Sequence, residues 1–392
     1  MDLRKGLTQM KKQRGRVAVC GLLLLLALIT SLFLRHVTTM LSSEQAAERW
    51  GGDAGSFAQI SAYFPEHESL GPSASRDLPL AFARAIQEQG LNPLEPDASF
   101  AYAYATSAQL VRVASRDRGP IEVFATGVGG NFFLFQSVQL ISGSFLPMES
   151  LNRDYVLIDQ NLAWQLFGAV DVTGMELIID GRPYIITGIY LPPSDFASSA
   201  AYGDRAHMFL FHDVVQTLSP GAGITSVQAV LPNPLTGLGE EIFRDAMDTA
   251  NVNEDAFTLV NNSRRYTFLA LVGVIREFGL RSMVQIGLRL PYWENAARIS
   301  EDFAAASVLL LILLLLYPIW CVIRIIHFFW KRRKWRTRMV WDKAMEKREE
   351  HREEKWRNQQ LDEIELDEAY DLEEIIRSVR ESEEEKYDEK EL

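Results

Sequence analysis

Apolar residues gather in two long runs, and the chain between them alternates on a much shorter scale. The first run spans Val17 to Leu34 and contains five consecutive leucines, Leu22 to Leu26. The second spans Phe303 to Ile323, with Leu309 to Leu316 at its centre. A helix needs about 17–25 apolar residues to cross a bilayer, so both runs qualify, the first near the minimum. A signal peptide is the rival reading of the first run. Its apolar core is usually about 7–15 residues and ends in a small-residue cleavage site. Here the run is longer and Leu34-Arg35-His36-Val37 follows, so an uncleaved anchor is expected. Pro318 is expected to kink the second run, which membrane helices tolerate, and Tyr317, Trp320 and Trp330 suit an interfacial belt. A third apolar stretch, Tyr266 to Ile275, is cut by Arg276-Glu277 and is too short to span. It reads as a strand or helix of the core between the runs, or as a membrane-proximal amphipathic segment.

Between the runs the pattern predicts many short elements. Ser42 to Gln89 reads as mainly helical. Ser43 caps a helix through Ala46, Ala47 and Trp50, which Gly51, Gly52 and Gly55 break, and a second helix from Leu78 to Gln89 ends at Gly90 before Pro93. Ser99 to Ser107 alternates aromatic residues with alanine, the period of a half-buried strand; its aromatic stripe reads as a core face or a binding groove. Ile121 to Ala125 reads as a strand, Gly127-Val128-Gly129-Gly130 as a turn, and Asn131 to Gln136 as a helix or extended segment. Val138 to Ile141 leads to a turn at Gly143-Ser144-Phe145. Tyr155 to Ile158 reads as a strand, and Asp159 to Phe167 as a helix capped by Asp159 and stopped by Gly168. Asp180-Gly181 between two β-branched runs marks a hairpin from Leu177 to Ile186. After Pro192-Pro193, Ser194 to Asp204 reads as loop. Strands are expected at Met208 to Phe211, Val227 to Leu231 and Phe257 to Val260, with a helix at Leu238 to Asn251. The sum is a mixed α+β domain.

Charge and cysteine placement then orient the chain. Arg4, Lys5, Lys11, Lys12, Arg14 and Arg16 precede the first run, and Lys331, Arg332, Arg333, Lys334, Arg336 and Arg338 follow the second. Cations beside a span favour the cytoplasmic side, so both termini are expected in the cytoplasm. The two cysteines, Cys20 and Cys321, lie inside the runs, which excludes a disulfide-stapled outer domain. The formal net charge is −12, with the acidic excess heaviest at the C-terminal end, and no basic stripe marks a folded nucleic-acid reader. Residues 1–16 read as a basic amphipathic leader with Leu3, Leu7 and Met10 on one face, lying in the inner headgroup layer, or as a disordered leader that only sets topology. Spans are placed at 17–34 and 303–326, the extracytoplasmic α+β domain at 35–302, and a charged cytoplasmic tail at 327–392. That tail interleaves Glu346 to Glu354 with Lys347, Arg348, Arg352 and Lys355. It reads as partly disordered, or as a solvated helix whose Leu361, Ile364, Leu372, Ile375, Ile376 and Val379 dock a partner.

The stretch from Phe124 to Tyr190 carries GGNFF at Gly129 to Phe133, VQLISGSF at Val138 to Phe145, YVLIDQNLAWQLFG at Tyr155 to Gly168 and MELIIDGRPYIITGIY at Met175 to Tyr190. In this order and spacing it resembles the extracytoplasmic core domain of MacB/FtsX-type ABC transporter permeases, the MacB-like periplasmic core domain. The resemblance implies an N-terminal span followed directly by this outer domain. It also implies partners: an ABC ATPase subunit, a further permease chain, and an extracytoplasmic protein or cargo. Such permeases carry three spans after the outer domain, and this sequence shows one. The resemblance further implies mechanical transmission through the segments next to the membrane, around Arg35 to Gln45 and Asn295 to Asp302.

A search for chemistry finds little. The sequence has no G-x-x-x-x-G-K-[ST] motif, so ATP hydrolysis would have to come from another chain. There is no G-x-S-x-G elbow and no H-E-x-x-H. His207 and His212, with Asp204 and Asp213 nearby, are five apart and misaligned for a helical zinc site. His67 reads as a surface loop residue and Arg153-Asp154 as an exposed turn. Asn261-Asn262-Ser263 matches a glycosylation sequon, a pattern common by chance. Arg324 can snorkel at the cytoplasmic end of the second run. No catalytic, cofactor or metal residue is assigned. Two readings stand: a non-enzymatic permease-like subunit or accessory of an ABC transport system, or a free-standing membrane-anchored binding or scaffold protein. An extracytoplasmic enzyme is the third and lacks a convergent catalytic set.

Overall fold

The structure is a computed structural model that describes residues 2–51, 57–278, 284–285 and 288–388. It divides into two compact units, Met1–Leu315 and Leu316–Leu392. The first opens with helix α1 (Asp2–Thr39), a 3-10 turn at Ser42–Glu44 and α2 (Ala46–Gly51). Strand β1 (Phe57–Tyr63), α3 (Ala74–Glu88), β2 (Ala101–Thr106), β3 (Gln109–Ala114) and β4 (Ile121–Gly130) follow. Next come α4 (Phe132–Phe135), β5 (Leu140–Gly143), β6 (Tyr155–Asp159), α5 (Gln160–Phe167), β7 (Glu176–Ile179) and β8 (Arg182–Tyr190). Then come α6 (Phe196–Tyr202), β9 (His207–Phe211), α7 (His212–Leu218), β10 (Ile224–Pro232), α8 (Leu238–Thr249), β11 (Thr258–Asn261) and α9 (Phe268–Glu277). A two-residue pairing, β12 (Val284–Gln285) with β13 (Leu288–Arg289), precedes α10 (Tyr292–Asp388).

Strands β1 to β11 form one sheet, in the order β11-β1-β10-β2-β4-β3-β7-β8-β6-β9, with β5 added on β8. β9 returns to pair in parallel with β4, so six strands close into a ring. Its inside is filled by alternate residues of its strands, such as Val123, Ala125, Val156, Ile158, Leu177, Ile179, Ile186 and Met208. The open part, β11-β1-β10-β2, is covered by α3 and α8. Ile60, Ala62, Val227 and Ala229 pack there on Leu78, Phe82, Ile86, Ile242, Phe243 and Met247. The rings of Phe82 and Phe243 lie 5.5 Å apart.

Local chemistry explains the elements that the pattern announced. Asp159 accepts from Leu162 N–H at 2.7 Å and caps α5, and Gly168 ends it at φ 67°. Asp180 (φ 48°) and Gly181 (φ 82°) make the two-residue turn between β7 and β8. The structure corrects the pattern in three places. Phe57–Tyr63, expected within a mainly helical stretch, is a strand buried on both faces, so its polar Gln59 and Ser61 do not mark a wet side. Gly127 and Gly129 lie in β4, not in a turn. A side chain at Gly127 would sit 2.9 Å from the backbone of His212, and one at Gly129 would enter the Tyr104 ring. The expected loop from Ser194 to Asp204 contains α6, capped by Asp195, which accepts from Ser198 N–H at 2.8 Å. Residues 2–16 are helical and run without a break into the first apolar run, within α1 from Asp2 to Thr39. The expected break at Gly52 and Gly55, the apolar face at Leu3, Leu7 and Met10, and the positions of Leu361 and Ile364 lie outside the described residues or side chains.

The apolar parts of α1 and α10 present their side chains outward. The most apolar windows of the two helices are only 6% and 11% buried, unlike core helices of a water-soluble protein. Both helices are long and apolar enough to cross a membrane, and the tail is helical through Asp388. Within the second unit, Leu372, Ile375, Ile376 and Val379 are exposed, and the Arg324 guanidinium lies 5.3 Å from the Trp320 ring.

Candidate functional site: a buried junction beside the membrane

The segments that leave the two apolar runs meet inside the outer domain. α1 ends at Thr39, and Glu44 sits in the 3-10 turn that follows. α10 begins at Tyr292 and carries Glu294, Arg298 and Glu301 along one stripe before its apolar part. That spacing, four and then three residues, keeps the three side chains on one face of a helix. Arg265, placed by a 3-10 turn after β11, stands between the two segments.

Arg265 is buried and faces three carboxylates. Its Nε lies 3.0 Å from Glu44, its Nη2 2.6 Å from Glu294 and its Nη1 3.3 Å from Glu301. Nη1 also donates to the second oxygen of Glu294 at 3.4 Å, so the guanidinium forks that carboxylate. Arg298 Nε donates to the same oxygen of Glu294 that Arg265 Nη1 reaches, at 3.1 Å. Burial works against the charge on Arg265, but Glu294, Glu44 and Glu301 outweigh it and hold its pKa well above the usual value. Burial raises the pKa of Glu44; Arg265 opposes the rise, and the charges of Glu294 and Glu301 add to it. With every group ionised, three carboxylates face two guanidiniums. A proton on Glu44, whose pKa burial raises, relieves that excess.

A chain of polar side chains carries the junction into the sheet. Asn262 Nδ2 donates to Glu44 at 2.9 Å, and its carbonyl accepts from Ser61 Oγ at 2.8 Å. Gln228 donates to Ser61 Oγ at 3.1 Å, and Gln136 to Gln228 at 3.2 Å. Gln59 N–H donates to Ser263 Oγ at 2.9 Å, Gln59 Nε2 to the Ser43 carbonyl at 2.7 Å, and Ala46 N–H to Gln59 Oε1 at 2.9 Å. This accounts for the buried Gln59 and Ser61 of β1: each is hydrogen-bonded, as a buried polar group must be. Arg49 Nη1 donates to Ser42 O at 2.6 Å and its Nε to Leu134 O at 3.2 Å, which ties the same segment to α4. Asn262 and Ser263 of the sequon belong to this network, whereas Asn261 Nδ2 donates to Glu240 at 3.4 Å.

The root of α10 is held a second time by aromatic packing. Trp293 stands edge-on to Phe132 at 5.5 Å, and Tyr292 edge-on to Tyr202 at 5.0 Å. Behind them Asp159 accepts from Tyr202 OH at 3.0 Å and from His207 N–H at 2.9 Å. Burial pushes the Asp159 carboxyl up to about 6, against its hydrogen bonds, and pushes His207 down to about 4. Their effects on stability have opposite signs between those values. Asp159 costs stability as pH rises toward 6, and neutral His207 returns it as pH rises toward 6.5. His207 stacks on Tyr202 at 3.9 Å, whereas His212 stands edge-on to Tyr104 at 5.3 Å, so the two histidines serve different clusters. Arg153 is more than an exposed turn residue. It pairs with Asp213 at 3.3 Å and covers the Phe211 ring at 4.4 Å. His67 is exposed, as expected.

A cleft of about 840 Å³ opens beside the junction, between β11, α9 and α10; Arg264, Arg265, Glu277, Arg298 and Glu301 are among its walls. Sequence reasoning named the segments around Arg35 to Gln45 and Asn295 to Asp302 but none of the residues that join them. One signal was present: Glu294, Arg298 and Glu301 at helical spacing, with Ala296, Ala297, Ala304 and Ala305 between and beyond them.

A family model described as the MacB-like periplasmic core domain matches residues 22–234, more than half of the 392 residues. Among solved structures, the extracellular domain of the noncanonic ABC-type transporter YknZ from Gram-positive bacteria is 15% identical. The match covers 52% of this chain and 100% of that one, at a TM-score of 0.36. The periplasmic region of MacB from Actinobacillus actinomycetemcomitans is 12% identical over 60% of this chain and 96% of that one, at 0.38. A domain of a putative permease protein from Porphyromonas gingivalis is 17% identical over 56% and 96%, at 0.34. No curated protein matches the chain.

Proposed function

The chain belongs to the MacB-like periplasmic core domain family of ABC-type transporter permeases, and from that premise we propose that it is a non-enzymatic, permease-like membrane subunit coupled to a separate ATPase. The outer domain binds an extracytoplasmic protein or cargo. The two spans, with both termini in the cytoplasm, pass its position to the ATPase and a further permease chain. One observation carries this reading. A single buried guanidinium, Arg265, holds Glu44 just after the first apolar run and Glu294 and Glu301 just before the second. A shift of either membrane segment must therefore break or carry the same ion pairs. Coupling of this kind needs a contiguous element with discrete arrangements, and a buried charge cluster suits that need because half-broken states are costly.

The test is purification of the full chain from mild detergent, after crosslinking in cells, with mass spectrometry of what accompanies it. The account expects an ABC ATPase and a fuller permease at reproducible stoichiometry. Their absence would leave a free-standing anchored binding or scaffold protein, for which the exposed charged helix of the second unit would be the recruiting element.

A further inference from the structure

Helix α9 starts three residues after Arg265 and has three distinct flanks. On the first, Leu271, Val274 and Ile275 pack against Leu34 and Val37 of α1 and against Ala304, Ala305 and Val308 of α10. Those partners are the outer end of the first apolar run and the first two turns of the second. On the second flank, Gly273 and Glu277 face the cleft beside Arg265. Residues advance about 100° per position around a helix, which leaves Leu269, Val272 and Arg276 together on the third flank, with Phe268 at its edge. There Leu269 is 81% exposed, Phe268 61%, and Arg276 is exposed as well.

We propose that α9 lies in the outer headgroup layer of the bilayer, with Phe268, Leu269 and Val272 among the lipid acyl chains. The occupant of this apolar flank is lipid because the flank continues the surface of the two runs. The ridge beside it is already packed on Leu34 and Ala304 to Val308, at the depth where both runs enter the apolar layer. Arg276, exposed on the same flank, extends its charge to phosphate while its stem stays among chains, as interfacial arginines do. Only Tyr266 and Thr267 separate α9 from Arg265. The bilayer thus bears on the junction through α9 as well as through α1 and α10.

This inference rests on the membrane-spanning reading of the two runs, and the experiment separates the two. The full chain with Cys20→Ala and Cys321→Ala is spin-labelled at one added cysteine, Leu269→Cys, in nanodiscs of phosphatidylethanolamine and phosphatidylglycerol. Collision with oxygen and with a water-soluble nickel chelate is read by power saturation. Leu25→Cys, in the first run and 54% exposed, is the lipid reference; Leu235→Cys, in the loop before α8 and 72% exposed, is the water reference. Oxygen accessibility at 269 is expected to exceed that of the chelate several-fold, as at 25 and opposite to 235. Chelate access exceeding oxygen at 269, with position 25 still in lipid, overturns the proposal and leaves the spans intact. Low access to both reagents at 269 means that protein covers the flank, and it also overturns the proposal. A water-like signal at 25 removes the membrane reading and this inference with it.

Discussion

The layer between α3, α8 and the open sheet and the junction around Arg265 are both buried at their centres, but they are held by different forces. In the first, Ile60, Leu78, Phe82, Ile86, Phe243 and Met247 interlock without a charge among them. In the second, Arg265, Glu44, Glu294 and Glu301 are desolvated together and held by ion pairs and hydrogen bonds. Apolar packing weakens in small steps as groups slide apart. A buried charge cluster has a good arrangement and costly broken ones, since an uncompensated buried charge costs several kcal/mol. The first region suits a rigid body, and the second suits the coupling role proposed for it.

The largest expected effects come from breaking each region in turn. Arg265→Met leaves three carboxylates facing one another and should cost about 3–5 kcal/mol. Phe82→Ala opens a cavity between α3 and α8 and should cost a similar ~3–5 kcal/mol. Thermal unfolding of the full chain in detergent reads both. Arg265→Lys should recover only part of the loss, because an ammonium cannot fork Glu294 while reaching Glu44 and Glu301.

A smaller effect separates the regions by pH. Glu44 has a raised pKa in the fold, so the fold binds its proton more tightly than the unfolded chain does. Its contribution is fully present below the ordinary value of 4.5 and is lost as pH rises through the raised value. Glu44→Gln, which mimics the protonated form, should therefore raise stability relative to the natural chain at pH 8 and lose that advantage at pH 4. Melting curves at the two pH values check this, and equal shifts at both would remove Glu44 as the proton carrier. The smallest effect is at a helix end: Asp195→Ala removes the α6 cap and should cost about 1 kcal/mol in the same melting assay.

Much of the ring was legible because its signals are local. The Asp159 cap, the Gly168 stop and the Asp180-Gly181 turn each act within a few residues. β1 was illegible because its polar alternation faces a hydrogen-bond network rather than water. β4 was cut short because glycines that admit Tyr104 and the start of α7 look like turn glycines. α6 had a readable cap in Asp195, masked by the prolines before it. The junction was the least legible part. Arg265 pairs with Glu44 from more than two hundred residues away, and nothing local in either sequence segment announces the other.

The most direct test of the junction is the distance between the two membrane-proximal segments. Spin labels on Arg35→Cys and Ala306→Cys, both at exposed sites, are placed in the chain with Cys20 and Cys321 replaced by alanine. Double electron–electron resonance in nanodiscs then gives the distance distribution. The account predicts one narrow population in this background and in Phe82→Ala, and a broad or split one in Arg265→Met. A distribution in Arg265→Met as narrow as in the parent would contradict it, because Arg265 would then not be what holds the two segments together.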